Sequence, residues 1–354
     1  MKASVITMTK TYNYGATLQA YALQEYVRSM GHECDIVDHM GYDGHRILRV
    51  TDLSFDTLVK LPYKRELERG YRCFEQFYDE HMRMTRRYNE KEALVADPPV
   101  SDVYISGSDQ VWNPRDLRGE FYLDFAPTGK KRVSYAASLG VSRIPEEQRA
   151  EVRELLRSID AISVREKAGV EAISELTDTP VNLNCDPVFL LDRQRWIDLE
   201  SPVDGLEEGF ILCYMIYKPE WLNDWLKAVR KRTGKKIVIV GLQGYRSVTH
   251  DRYVRSAGPR EFLWLIHHAS AVVTSSFHGA AFSILMRKPF VAMPDPPRPA
   301  RLHNLLGLFG LEDRILYECN KDYEFLPCDE AAVANVIAAE QAKTDTYFKG
   351  IFES

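Results

Sequence analysis

The stretch from 262 to 293, FLWLIHHASAVVTSSFHGAAFSILMRKPFVAM, limits most sharply what this chain can fold into. Phe262, Leu265, Ile266 and Ala269 fall on one face at helical spacing, which predicts an amphipathic helix over 262–269. Ala271-Val272-Val273-Thr274 is a short β-branched run, the pattern of a strand buried in a parallel sheet. Ser275 to Gly279 reads as a polar turn, Ala280 to Met286 as an apolar helix stopped ahead of Pro289, and Pro289 to Met293 as the next strand. Helix and strand alternating in this way predict a parallel α/β sheet. The turn carries His278 behind two hydroxyls, Ser275 and Ser276, where a strand ends and a helix begins. Ligands of open parallel sheets gather at such ends, and N–H groups at a helix start attract anions. The plainer alternative is an N-capping serine and a satisfied histidine.

A chain of 354 residues is too long for one typical core and predicts two domains. Ser201 to Gly209 (SPVDGLEEG), polar and broken by Pro and Gly, is the best linker. It divides an N-terminal domain over 1–200 from a C-terminal one over 210–325, with 326–354 a tail whose helix returns to the first. The formal charge of −5 argues against a surface that coats nucleic acid. The six cysteines include no C-x-x-C pair, so neither a zinc ribbon nor a disulfide framework is expected, and a reducing cytoplasm is the expected location. The chain opens on a strand-like run rather than a basic and then apolar leader, so no secretory signal is expected. No apolar run approaches the roughly 20 residues of a membrane-spanning helix. Oligomeric state cannot be read.

The N-terminal half starts β-loop-α-β: a strand over 4–8, a helix from about Ala16 to Met30 and a strand over 34–38. The loop is not G-x-G-x-x-G, so a dinucleotide is not favoured; Asn13 and Gly15 beside a helix start suit a small anion or a sugar hydroxyl. Lys64 to His81 reads as one or two charged surface helices, a solvated cap or a cover for an acidic acceptor. Asn89 to Glu92 suggests a capping box. The strand over 102–106 runs into Gly107-Ser108-Asp109-Gln110-Val111-Trp112-Asn113-Pro114, which can hold a sugar by hydrogen bonds and by packing on Trp112. Strands are expected over 131–137 and 161–164, with a helix over 145–158 between them. Arg165 follows the second of these strands, as His278 follows its own. It can clamp a phosphate or carboxylate bidentately, or pair internally with Glu166 or Asp186.

Five motifs then add up. Asn13-Tyr14-Gly15-Ala16-Thr17-Leu18-Gln19-Ala20-Tyr21-Ala22-Leu23-Gln24, the Gly107 to Pro114 run, Ser163-Val164-Arg165-Glu166, Asp186-Pro187 and Ser276-Phe277-His278-Gly279 together resemble the polysaccharide pyruvyl transferase family. The resemblance runs in order over nearly the whole chain. It implies two Rossmann-like domains facing across a cleft (GT-B-like), with the acceptor side on the first and the donor side on the second. It also implies transfer of pyruvate from phosphoenolpyruvate to two hydroxyls of a sugar as a ketal, in the synthesis of cell-surface or exopolysaccharide, with no metal or nicotinamide cofactor. His278 matches the family's histidine, and Arg165 an arginine that holds the donor. Asp109 is expected beside them. Asn13, Gly15, Ser108, Gln110, Trp112, Asn113, Ser275, Ser276 and Gly279 are expected to line the substrate. The family's arginine two residues before the histidine is replaced here by Ser276, and Arg298 and Arg301 are the nearest substitutes.

Two other functions fit the same residues. A nucleotide-sugar glycosyltransferase would lay its diphosphate on the helix start at Ser276 to Gly279 and its base near Val240 to Tyr245. A sugar- or phosphate-binding protein without turnover would use the same surfaces. One scaffold serves many chemistries, so fold alone cannot choose.

Overall fold

The computed structural model describes residues 1–39, 61–241, 248–296 and 299–353. These form two compact units. One takes Met1–Gly44, Tyr78–Leu191 and Asn335–Ser354, and the other His45–Phe77 and Asp192–Ala334.

The first unit holds β1 (Lys2–Ile6), α1 (Tyr14–Ser29) and β2 (Glu33–His39). Next come α2 (Lys64–His81), which crosses the boundary between units, β3 (Met84–Tyr88), α3 (Lys91–Ala96) and β4 (Val103–Ser106). They are followed by β5 (Lys131–Ser134), α4 (Arg149–Leu156), β6 (Ile162–Val164), α5 (Lys167–Ser174) and β7 (Val181–Leu183). Five strands make a parallel sheet in the order β3-β2-β1-β4-β5. The parallel pair β6-β7 continues it through single bridges from Val133 to Ala161 and from Ala137 to Val164. Serines stand in for part of that ladder: Ser163 N donates to Ser134 Oγ, and Ala136 N to Ser163 Oγ, at 2.9 and 3.0 Å.

The second unit holds α6 (Arg193–Leu199), β8 (Ile211–Tyr214), α7 (Leu222–Thr233), β9 (Ile237–Val240), β10 (Arg252–Val254), α8 (Pro259–His268) and β11 (Ala271–Thr274). It ends with α9 (Phe277–Leu285), β12 (Phe290–Ala292) and α10 (Ala300–Phe309). The sheet order is β10-β9-β8-β11-β12, again parallel throughout. Relabelled from its own first strand, that order repeats the first sheet's. Both sheets follow the doubly wound pattern, with one reversal of direction between the first and fourth strands. Every residue of β8, β9 and β11 is buried, as their unbroken apolar sequences require.

Several local readings are corrected. α2 is a single helix rather than a solvated cap, because Phe74, Phe77 and Tyr78 are all buried on it. At α3 the N-cap is Glu90 and no side chain caps it, so the expected capping box does not form. α9 starts three residues earlier than the apolar run implies, because Ser276 caps it. The last helix, α11 (Glu330–Phe352), runs eleven residues past Gln341. From Asn335 onward it lies in the first unit, where Phe348 packs on Tyr26 and Tyr135, ring centroids 5.6 and 5.0 Å apart.

Candidate functional site

Except for Arg165, after β6, and Arg301, on α10, the candidate residues follow strands that flank the reversal of their sheet. In the first unit these are β1 and β4, with Asn13 on the loop after β1 and Ser108 to Asn113 on the loop after β4. In the second unit they are β8 and β11, with Ser275 to Gly279 directly after β11. These are the positions at which open α/β sheets bind ligands.

The loops of the first unit are stitched together by their own side chains. Thr7 Oγ1 donates to the Ser108 carbonyl at 2.7 Å, and Gln19 Nε2 donates to Thr7 Oγ1 at 2.9 Å. Gly107 is required for this approach, since a Cβ there would lie 2.9 Å from Thr7 Cβ. Asn13 caps α1, its Oδ1 accepting from the N–H groups of Gly15 and Ala16 at 2.9 and 3.3 Å. The Gly15 amide is thereby taken up by the cap. Gln110 Oε1 accepts from Asn113 Nδ2 at 3.0 Å, while Asn113 Oδ1 accepts from Arg115 N. Trp112 contradicts its expected role. It is wholly buried, stacked on Tyr122 at 4.9 Å between centroids, and its indole N–H donates to the Phe121 carbonyl. It supports the loop from behind and has no face to offer a sugar.

Arg165 sits at the node of a buried ion cluster. Its Nη1 donates to Asp186 Oδ2; its Nε lies 3.4 Å from Glu166 Oε1 and its Nη2 4.0 Å from Asp109 Oδ1. Ser108 Oγ joins it, 3.5 Å from both Arg165 Nη1 and Asp186 Oδ2. Ser138 Oγ donates to Glu166 at 2.6 Å, and Asp186 Oδ1 accepts from Val188 N. Burial alone lowers a guanidinium's pKa, but Asp186, Glu166 and Asp109 outweigh it and raise the pKa above the usual arginine value. Of the two roles the sequence allows Arg165, the geometry displays the internal pairing. Among the described residues, the guanidinium is already shared by three carboxylates.

Backbone strain collects at the same place, with no sequence signal to announce it. Lys10 and Tyr12 after β1, Asp109 after β4 and Ala136 after β5 all have positive φ, four of the six such non-glycine residues among those described. Ala136 has no polar side chain to ease a left-handed conformation, which costs about 1–2 kcal/mol. Ser108 Oγ holds it by donating to the Ala136 carbonyl at 2.8 Å. Strained residues of this kind cluster at active sites and ligand clamps.

The turn of the second unit is built differently. Ser275 Oγ accepts from the N–H groups of Ile216 and Tyr217 at 2.8 Å each, fixing the loop after β8. Ser276 Oγ caps α9 by accepting from Gly279 N at 3.3 Å, and Ser276 N donates to Thr274 Oγ1. Gly279 lets the helix approach the sheet, since a Cβ would lie 2.2 Å from Thr274 Oγ1 and 3.0 Å from Tyr214 Cδ1. His278 falls inside the first turn of α9, buried, its ring edge-on to Phe277 at 5.1 Å. Arg301, at the start of α10, lies over the Phe277 ring at 5.4 Å and so stands close to the turn. Arg298 and positions 242–245 of the expected base site lie outside the described residues. A shallow concavity lined by Lys130, Lys131, Arg132 and Asp160 lies at the amino end of β5, the opposite end of the strands from these loops. Among the described residues no helix is long and apolar enough to cross a membrane.

None of the curated proteins compared with the chain matches it. Solved structures do. The UDP-GlcNAc 2-epimerase of Methanocaldococcus jannaschii, solved with UDP-GlcNAc and UDP, is 12% identical with a TM-score of 0.50, over 96% of this chain and 99% of that one. S. aureus MnaA, solved with UDP, is 13% identical with a TM-score of 0.51, over 97% of this chain and 88% of its own. At such identity the likeness shows the fold alone, a GT-B-like α/β fold with parallel sheets. The family model described as polysaccharide pyruvyl transferase matches residues 13–295, a span that holds every motif singled out in the sequence; the chain belongs to the polysaccharide pyruvyl transferase family and is a transferase.

Proposed function

We propose that this transferase moves pyruvate from phosphoenolpyruvate onto two hydroxyls of a sugar in a polysaccharide, forming a ketal. The observation that carries the reading is His278 in the first turn of α9, beside the reversal of the second sheet and within the span matched to the family. Phosphoenolpyruvate brings a carboxylate and a phosphate, so its site needs positive charge at two points. The positive end of α9 supplies one. Arg301, next to Phe277, supplies the other in place of the family arginine that Ser276 replaces. Protonation of the donor's CH2 carbon makes C2 electrophilic, one sugar oxygen bonds to it, phosphate leaves, and the second oxygen closes the ketal. Of the two hydroxyl protons, one balances the new methyl group and the other leaves with phosphate. His278 is the proton donor or the partner of the departing phosphate, since an imidazole can donate a proton or a hydrogen bond.

The second unit takes the donor, and the strained polar loops of the first take the acceptor. Arg165 and Asp109 hold those acceptor loops in shape through the buried cluster. The chemistry uses neither a metal nor a nicotinamide, and the reaction is assigned to the cytoplasm.

A nucleotide-sugar transfer is the second reading, favoured by the fold shared with two proteins solved with UDP. Incubation with phosphoenolpyruvate and a panel of glycans, followed by mass spectrometry, separates the two. A pyruvyl adduct with phosphate release is the expected result. Thermal stabilisation by UDP or GDP but not by phosphoenolpyruvate, with no adduct, would favour the nucleotide sugar. A ligand at a hundred times its Kd adds about 2.7 kcal/mol, well within reach of a melting curve.

A further inference from the structure

We propose that Glu200, His267 and His268 form a binding site for one divalent ion of the zinc type, on the second unit and independent of the transfer reaction. His267 and His268 end α8, and Glu200 follows the last residue of α6. Each offers a ligand atom, and these atoms all lie within 4.8 Å of one another. Glu200 Oε2 lies 2.9 Å from His267 Nδ1, and Oε1 lies 3.0 Å from His268 Nε2. Around a tetrahedral ion with bonds of about 2.0–2.1 Å, neighbouring ligand atoms stand about 3.3 Å apart. With the three ligand atoms within 4.8 Å of one another, side-chain adjustments of about an ångström bring them to that spacing.

The surroundings have the features of a built site. The other ring nitrogen of His268, Nδ1, lies 2.8 Å from Glu208 Oε1, the carboxylate–histidine pairing that orients metal-bound imidazoles. The same ring is stacked on Trp264, centroids 4.7 Å apart, which fixes its plane. The backbone ties the elements together: Ser201 N donates to the Arg260 carbonyl, Arg260 Nε to the Leu199 carbonyl, and Gly209 N to the His268 carbonyl, at 3.2, 2.8 and 3.0 Å. Position and charge agree. The two histidines close the C-terminal, negative end of α8, where a cation is favoured. Glu200 and Glu208 add negative charge, partly offset by Lys288, which feels both. The three side chains are about one-fifth exposed (17–21%), so an ion can enter and a water can complete its shell. Two imidazoles and a carboxylate select zinc, nickel or copper over calcium or magnesium.

The test uses the full chain, stripped with a chelator and titrated with zinc chloride by calorimetry, then with cobalt chloride by visible absorption. Six cysteines elsewhere offer competing thiols, so the quantity read is the difference between the native chain and the double variant His267→Gln/His268→Gln. One equivalent more zinc in the native chain is expected, with proton release, a raised melting temperature and the bands of tetrahedral cobalt. Glu200→Gln keeps a hydrogen-bond acceptor for the fold and should weaken zinc at least tenfold. It carries the test if the double variant does not fold. Equal zinc uptake in native chain and variants, or a melting temperature indifferent to zinc, would overturn the site and leave the triad a hydrogen-bonded helix cap.

Discussion

The two sheets share a strand order and place their polar loops beside the same reversal, yet they equip that position in opposite ways. After β1 and β4 the backbone is strained at Lys10, Tyr12 and Asp109, and Asp109 joins Arg165 and Glu166, after β6, and Asp186, after β7, in a buried ion cluster. After β11 no residue from Ser275 to Gly279 has positive φ; the chain passes from strand through a serine cap straight into a helix. No acidic residue occurs there either. On the function proposed above, the strained, ion-paired loops would meet the neutral hydroxyls of the acceptor, and the helix start with His278 and Arg301 the anionic donor.

The largest expected effect falls on His278. One general acid–base residue is typically worth about a hundredfold to ten-thousandfold in rate. His278→Ala should lower kcat by that much, with little change in melting temperature. His278→Gln should restore little if the ring donates a proton, and more if it only holds phosphate. A clear fall in melting temperature with turnover per folded molecule preserved would make His278 a packing residue, and would remove the contrast between the loops.

Next in size is the cluster of the first unit. Asp186→Ala leaves the Arg165 charge buried without its closest partner, a change that costs about 3–5 kcal/mol. Denaturant unfolding should show the loss. Arg165→Lys sharpens the question, because one ammonium cannot serve three carboxylates as a guanidinium fork does. Stability should fall while affinity for phosphoenolpyruvate holds. Weaker donor binding with stability intact would return Arg165 to the role of anion clamp and make the two loops chemically alike.

How far the sequence foretells all this depends on the kind of residue. β11 is legible to the residue, because Ala271-Val272-Val273-Thr274 is apolar and β-branched between polar neighbours. Helix ends are less so. The start of α9 is set by the Ser276 cap rather than by the apolar run, and α11 continues because Phe348, Ile351 and Phe352 are buried in the first unit. Trp112 misleads for a related reason: a tryptophan in a polar loop looks like a platform, and only the fold reveals Tyr122 stacked on it. Arg165 is legible as chemistry and Asp186 as a candidate partner, but not which of its two roles it takes, since Asp186 lies 21 residues away in the chain. The strain at Ala136 has no signature at all, because nothing in an alanine announces a left-handed backbone. Local composition carries strands and caps; contacts between distant segments carry the site.

A middle-sized effect is expected at Gly279. Its added methyl would meet Thr274 Oγ1 at 2.2 Å and Tyr214 Cδ1 at 3.0 Å, paired residues at the ends of β11 and β8. Overpacking of this order costs about 1–3 kcal/mol. Gly279→Ala should lower the melting temperature and, by tilting the first turn of α9, reduce kcat as well. An unchanged kcat would show that the placing of His278 tolerates a shifted helix.

The smallest effect tests the caps that both loops possess. Asn13 caps α1 and Ser276 caps α9, and replacing either by alanine should cost about 1 kcal/mol of stability. The comparison predicts that the two variants part company on binding. Asn13→Ala lies on the acceptor side and should leave affinity for phosphoenolpyruvate unchanged. Ser276→Ala frays the helix start proposed to meet the anion, so its donor Kd should rise as well, in company with the stability loss. Ser276→Asp separates the cap from the charge. Aspartate caps a helix as well as serine does, so stability should recover, but a negative charge introduced at the turn should repel the donor. Isothermal titration with phosphoenolpyruvate and melting curves on the same preparations read both quantities. If Ser276→Asp binds the donor as tightly as the native chain, the anion does not sit at α9, and the assignment of donor to the second unit is wrong.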